Sequence, residues 1–124
     1  MRNIIILGAI LGVLFPIQTY ANQVPELSLS KKAQQSDAVI VGKIEAVKDV
    51  ANTSIGTQYA IVRVRGVLKG AVGEKIKVWI KGPIAEMNPD CCIVGNDYVL
   101  FLESTVDKNF SPTDGGYGVV PLKP

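Results

Sequence analysis

The chain has 124 residues, 48% of them apolar, a formal net charge of +2 at pH 7 and no histidine. That length holds one domain, and the apolar content suffices for a modest core, which excludes a disordered chain. The near balance of 13 Lys+Arg against 11 Asp+Glu argues against a strongly basic nucleic-acid binder. The missing imidazole removes His-based triads, His-ligated metal sites and imidazole proton shuttles.

Residues 1–21 have the layout of a secretory signal. Arg2 supplies the positive start, Ile4 to Phe15 the apolar stretch, Pro16 its break, and Thr19-Tyr20-Ala21 the small residues at positions −3 and −1 of a cleavage site. The apolar stretch spans about 18 Å as a helix, too short for a hydrocarbon core of about 30 Å. Cleavage is expected after Ala21, leaving a single domain over residues 22–124. No cysteine lies between the apolar stretch and Cys91, so a lipid anchor is not expected. The mature chain is expected in the periplasm or outside the cell, uninserted in membrane, where disulfides persist.

Ser28 or Ser30 is positioned to cap a short helix through Lys31–Gln35 that ends near Ser36-Asp37. A first strand follows over Ala38–Val47, with Lys43 and Glu45 facing out. After a polar loop over 52–56, Thr57–Leu68 reads as a second strand, with Ala60, Val62 and Val64 on one face and Arg63 and Arg65 on the other. Gly70 and Gly73 suit a turn. Lys75–Lys81 is the cleanest alternation, with Ile76, Val78 and Ile80 inward and three lysines and Trp79 outward. An irregular stretch runs over 82–96. Asp97–Glu103 is almost wholly apolar, as expected of a central strand covered on both faces. Residues 111–116 read as a turn and Tyr117–Leu122 as the last strand. One helix leading into a run of strands excludes a parallel βαβ sheet. The fold predicted is mainly β, a small antiparallel five-stranded OB-like barrel with one short helix near the mature N terminus.

Few residues could carry chemistry. Cys91 and Cys92 are the only cysteines. Adjacent Cα atoms lie about 3.8 Å apart across a trans peptide, below the usual disulfide range of about 4.4–6.8 Å. Three readings stand open: a ring between neighbours, pairing with another chain or an outside thiol, and two reduced thiols that are buried or hold a soft ion such as Cu(I). Two sulfurs without histidine make a poor zinc site, and no metal or cofactor is expected. Lys75, Lys77, Trp79 and Lys81 on one strand and Arg63 and Arg65 on its neighbour form a basic and aromatic face. Such a face suits anionic glycan or single-stranded nucleic acid, but also an ordinary solvated sheet edge. Glu86, Asp90, Asp97, Glu103, Asp107 and Asp114 are scattered and show no catalytic pairing. Gly115-Gly116-Tyr117-Gly118 precedes no helix and reads as turn glycines rather than a phosphate loop.

Three segments together resemble the N-terminal OB-fold domain of the tissue inhibitors of metalloproteinases, which is also the netrin module. They are Ser36 to Lys43, Val64 to Gly70, and Cys91 to Leu102, the last with its Gly-x-x-Tyr before an apolar strand. The resemblance spans roughly residues 36 to 103. It implies the barrel and a binding role. In that family a cysteine at the mature N terminus chelates the protease zinc. Here the expected mature start is Asn22 and no cysteine precedes Cys91, so zinc-directed inhibition is not carried over. The expected function is non-enzymatic binding of another protein, through the stretch Pro83 to Val94 with help from Trp79. The alternative is an anionic polymer on the basic face.

Overall fold

The computed structural model describes residues 26–51 and 53–123. The leader expected over residues 1–21 and its expected cleavage site lie outside the described residues. Helix α1 (Leu29–Gln35) starts where the Ser28 hydroxyl accepts from the Lys31 amide at 3.2 Å, and ends with the Ser36 amide donating to the Ala33 carbonyl. Seven residues are too few for a helix to stand alone in water. Packing holds this one: Lys32 is fully buried, with its ammonium 5.3 Å from the centroid of the Phe101 ring.

The strands follow as β1 (Ala38–Asp49), β2 (Gln58–Lys69), β3 (Lys75–Lys81), β4 (Asp97–Ser104), β5 (Phe110–Pro112) and β6 (Val119–Pro121). β1 pairs with β2 along its whole length and, on its other edge, with β4 from Ala38 to Lys43. Irregularities in the β1–β2 register at Val39/Ile40, Val41/Gly42 and Ile44/Ala46 mark bulges, which bend a strand and increase its twist. β3 pairs with β2, and β5 pairs antiparallel with the end of β4. A single parallel bridge, Val78 to Phe110, joins β3 to β5 and closes a five-stranded ring. β6 continues along the edge of β4 next to β5.

The ring is the OB-like barrel expected from the sequence, with one short helix ahead of it. Its closing strand is not where the sequence reading put it. β5 lies at 110–112, partly inside the expected turn, and Tyr117 belongs to a 3-10 turn rather than to the last strand. The inward residues follow the alternation. Ile40 and Ile44 of β1, Ala60 and Val62 of β2, Val78 and Ile80 of β3, and Tyr98, Leu100 and Leu102 of β4 form the core. The outer face of β4 is covered at Phe101, beneath α1, but Val99 stays half-exposed.

Candidate functional site

The segment after β3 folds on itself. The Gly82 amide donates to Asn88 Oδ1 at 2.9 Å, and a 3-10 turn over Ala85–Met87 is closed by Met87 and Asn88 amides donating to the Ile84 and Ala85 carbonyls. A second 3-10 turn, Gly115–Tyr117, packs against it. Glycines make that approach possible. A Cβ on Gly115, itself at φ +54, would stand 3.1 Å from the Met87 carbonyl oxygen, and one on Gly116 would stand 3.0 Å from that of Asn88. The sequence reading of these residues as turn glycines missed this packing role, since their partner lies far away in the chain.

Between these turns and the ends of β3 and β4 runs a groove of about 350 Å³. Its walls are mostly apolar, with Ile55, Trp79, Ile84, Met87, Pro89 and Pro112 among them. Glu103 and Asp114 supply its charge. Ile84 and Met87 are 57% and 42% exposed, so the groove is open to a partner from outside.

Trp79 departs from expectation. It lies on the outer face of β3, as the alternation requires, but is only 7% exposed and does not form an open stacking platform. Tyr59 packs edge-on against it, with centroids 5.5 Å apart, and Gly56 lies so close that a Cβ there would be 2.8 Å from Trp79 Cε3. Its indole N–H donates to Asp107 Oδ2 at 3.0 Å. Asp107 also accepts from the Thr105 hydroxyl and the Asn109 amide. The Thr105 hydroxyl above all, then Asn109 and the indole, hold its carboxyl well below the usual carboxylate range. The Thr-x-Asp-x-Asn spacing in a strand-to-strand turn is the signal that could have marked Asp107 in the sequence.

The basic face is largely engaged. Glu45 of β1 bridges Arg63 at 2.6 Å and Lys75 at 3.0 Å, and Arg65 reaches Asp97 at 3.2 Å. The hydrogen bond from Arg63, then that from Lys75, lowers the Glu45 carboxyl below its ordinary value. Lys77 lies 4.1 Å from the Tyr59 ring centroid and 5.2 Å from that of Trp79. Lys81 is exposed at the strand end. The six residues thus share one region, but three of the five cations already face carboxylates.

Cys91 and Cys92 form the ring between neighbours, their Cα atoms 3.0 Å apart across a cis peptide bond. Both are half-buried against the core and outside the groove lining. The expected contact stretch therefore divides in three. Residues 83–89 contribute to the groove, the cysteine ring anchors the chain to the barrel, and Ile93 and Val94 are exposed beyond it. The Ile93 amide donates to Tyr98 Oη at 2.9 Å, and the Gly95 amide to the Ile44 carbonyl.

Of the carboxylates that look scattered in the sequence, Glu103 and Asp114 come together in the groove lining; among the described residues no three of His, Cys, Asp or Glu converge as a metal site. Ser28 and Lys31 have the Ser-x-x-Lys spacing of some serine nucleophiles, but the Ser28 hydroxyl is the cap of α1. Also among the described residues, no helix is long and apolar enough to cross a membrane. Searches against family models and curated proteins found no match for this chain.

Proposed function

We propose that this chain is a small exported binding module, netrin-like in architecture and without catalytic activity, that holds a segment of another protein in the groove between residues 83–89 and the ends of β3 and β4. The carrying observation is the groove itself: largely apolar walls at one end of the barrel, with exposed Ile84 and Met87 at its edge. Apolar pockets with a few placed polar groups are the usual form of a recognition site. The pairing of Arg63, Arg65 and Lys75 with carboxylates favours a protein partner over an anionic polymer, because each paired cation is already partly neutralised. Export rests on the leader over residues 1–21.

The test is selection of peptides from a random displayed library on the protein, followed by affinity measurement with Ile84→Asp and Met87→Asp variants. Loss of binding in both variants is the expected result. Retained affinity in both, or steeply salt-dependent binding of heparin or single-stranded DNA in place of peptide, would overturn the reading and favour the face carrying Lys77 and Lys81.

A further inference from the structure

The chemistry of the groove narrows the partner. Building on its reading as a protein-binding site, we propose that the segment it takes carries a cationic side chain, lysine or arginine, beside its apolar residues, and that Glu103 and Asp114 receive that charge.

Both charged side chains in the lining are carboxylates; among the described residues no lysine or arginine lines the groove. Glu103, near the end of β4, is fixed by backbone pairing opposite Ser111, which also lines the groove. Its carboxylate has no hydrogen bond or ion pair among the described residues. That sets it apart from Glu45, Asp97 and Asp107, whose oxygens are taken up by neighbours.

Asp114 is held differently. It sits at φ +64, ψ 28, a left-handed conformation that aspartate tolerates better than most residues. One carboxylate oxygen accepts from the Leu27 amide at 2.9 Å, and the other has no partner among the described residues. The carboxylate is thus oriented by the chain ahead of α1 while keeping an oxygen for a ligand.

The two acids flank apolar walls, so a partner with matching chemistry places a hydrocarbon side chain against Met87 and Ile84 and an ammonium or guanidinium against the carboxylates. Lysine and arginine meet both demands with one residue, since their stems are apolar and their heads charged. Met87 suits such a site because its unbranched thioether adapts to the shape of the guest. The volume, about 350 Å³, lies at the small end of the roughly 300–1,000 Å³ typical of binding pockets. It fits a few side chains of a partner segment.

The experiment uses the peptides enriched on the protein in the selection above. Each is measured against the unmodified protein, against Ile84→Asp, and against a Glu103→Gln/Asp114→Asn variant. Asparagine keeps an acceptor for the Leu27 amide and tolerates the left-handed backbone, so this variant should fold; an unchanged thermal midpoint checks that. The enriched sequences are expected to carry lysine or arginine next to apolar residues. The carboxamide variant should bind them about tenfold or more weakly, the worth of a charge-assisted hydrogen bond. Replacing the peptide's lysine or arginine with glutamine should cost as much on the unmodified protein and little on the carboxamide variant.

Enrichment of neutral or acidic peptides, or undiminished affinity in the carboxamide variant while Ile84→Asp abolishes binding, refutes the cationic partner and leaves the groove reading intact. Undiminished affinity in Ile84→Asp and Met87→Asp as well refutes the groove reading itself. If no peptide is enriched, both fail.

Discussion

Lys32 offers the sharpest test of how α1 is held to the barrel. Its side chain is fully buried, and its ammonium donates to Glu26 Oε2 at 2.8 Å and to the Tyr117 carbonyl at 2.9 Å while facing the Phe101 ring. The Glu26 side chain is 53% exposed, so water screens that pair and the carbonyl is the firmer partner. Lys32→Ala removes three methylenes, which at about 0.8 kcal/mol each gives roughly 2.4 kcal/mol. The lost charge-assisted bonds add to this, and relief from burying an ammonium offsets them. A net loss of about 2–3 kcal/mol follows, which for a domain of this size lowers Tm by roughly 10–20 °C. Lys32→Met keeps most of the stem and removes the buried charge, so it should fall within about 1 kcal/mol of the unmodified protein. Denaturant unfolding followed by circular dichroism, at constant m, measures both. If Met costs as much as Ala, the ammonium contacts rather than the stem hold the helix, and the reasoning is wrong.

Three further outcomes are expected. The Glu45 carboxyl should titrate below its ordinary value of 4.5, and Arg63→Gln should move the midpoint back up. Because its folded value is depressed, its contribution to stability is full above the ordinary value and is lost as pH falls through the depressed one. Carboxyl-carbon NMR reads the midpoint, and an unmoved value in the Arg63 variant would remove the guanidinium as the cause. Trp79 is the single tryptophan, so its emission reports on Asp107 directly. That emission should hold steady as pH falls past the ordinary aspartate value of 3.8, since the depressed carboxyl stays ionised there. Asp107→Ala should shift the emission, and an unchanged spectrum would mean the indole is held by packing alone. Finally, a Cβ at Gly56 would lie 2.5 Å from the Lys81 carbonyl oxygen, whereas one at Gly73 meets nothing closer than 4.0 Å. Gly56→Ala should therefore cost about 1–3 kcal/mol, with Gly73→Ala as the mild control in the same thermal melt; equal melting points would refute the crowding.

The four longer strands are legible because each is long enough to display its period. Ala60, Val62, Val78 and Ile80 are inward in the sequence pattern and in the barrel alike. β5 is not legible: Phe110-Ser111-Pro112 is too short to alternate, contains a proline, and exists as a strand only because β4 and β3 flank it. Periodicity placed Trp79 on the correct face of β3. It carries no information about Gly56, Tyr59 and Asp107, which cover that face from other segments. The groove had a partial signal in the proline-bracketed stretch after β3. Which of those residues line it depends on Gly115 and Gly116, whose contact with Met87 and Asn88 arises only in the folded chain. The burial of Lys32 likewise depends on Phe101 and Tyr117, far along the chain.

The single residue pair that joins β3 to β5 makes the barrel a cylinder with a seam. The turn leading into β5 is fastened back across that seam by the Asp107 carboxylate, which accepts from the Trp79 indole. Thermal breathing should begin where the stitching is thinnest, so the β5 amides should exchange with solvent ahead of those in the β1–β2 ribbon. The groove shares Trp79, Ser111 and Pro112 with the seam, and a guest seated there would press both lips together.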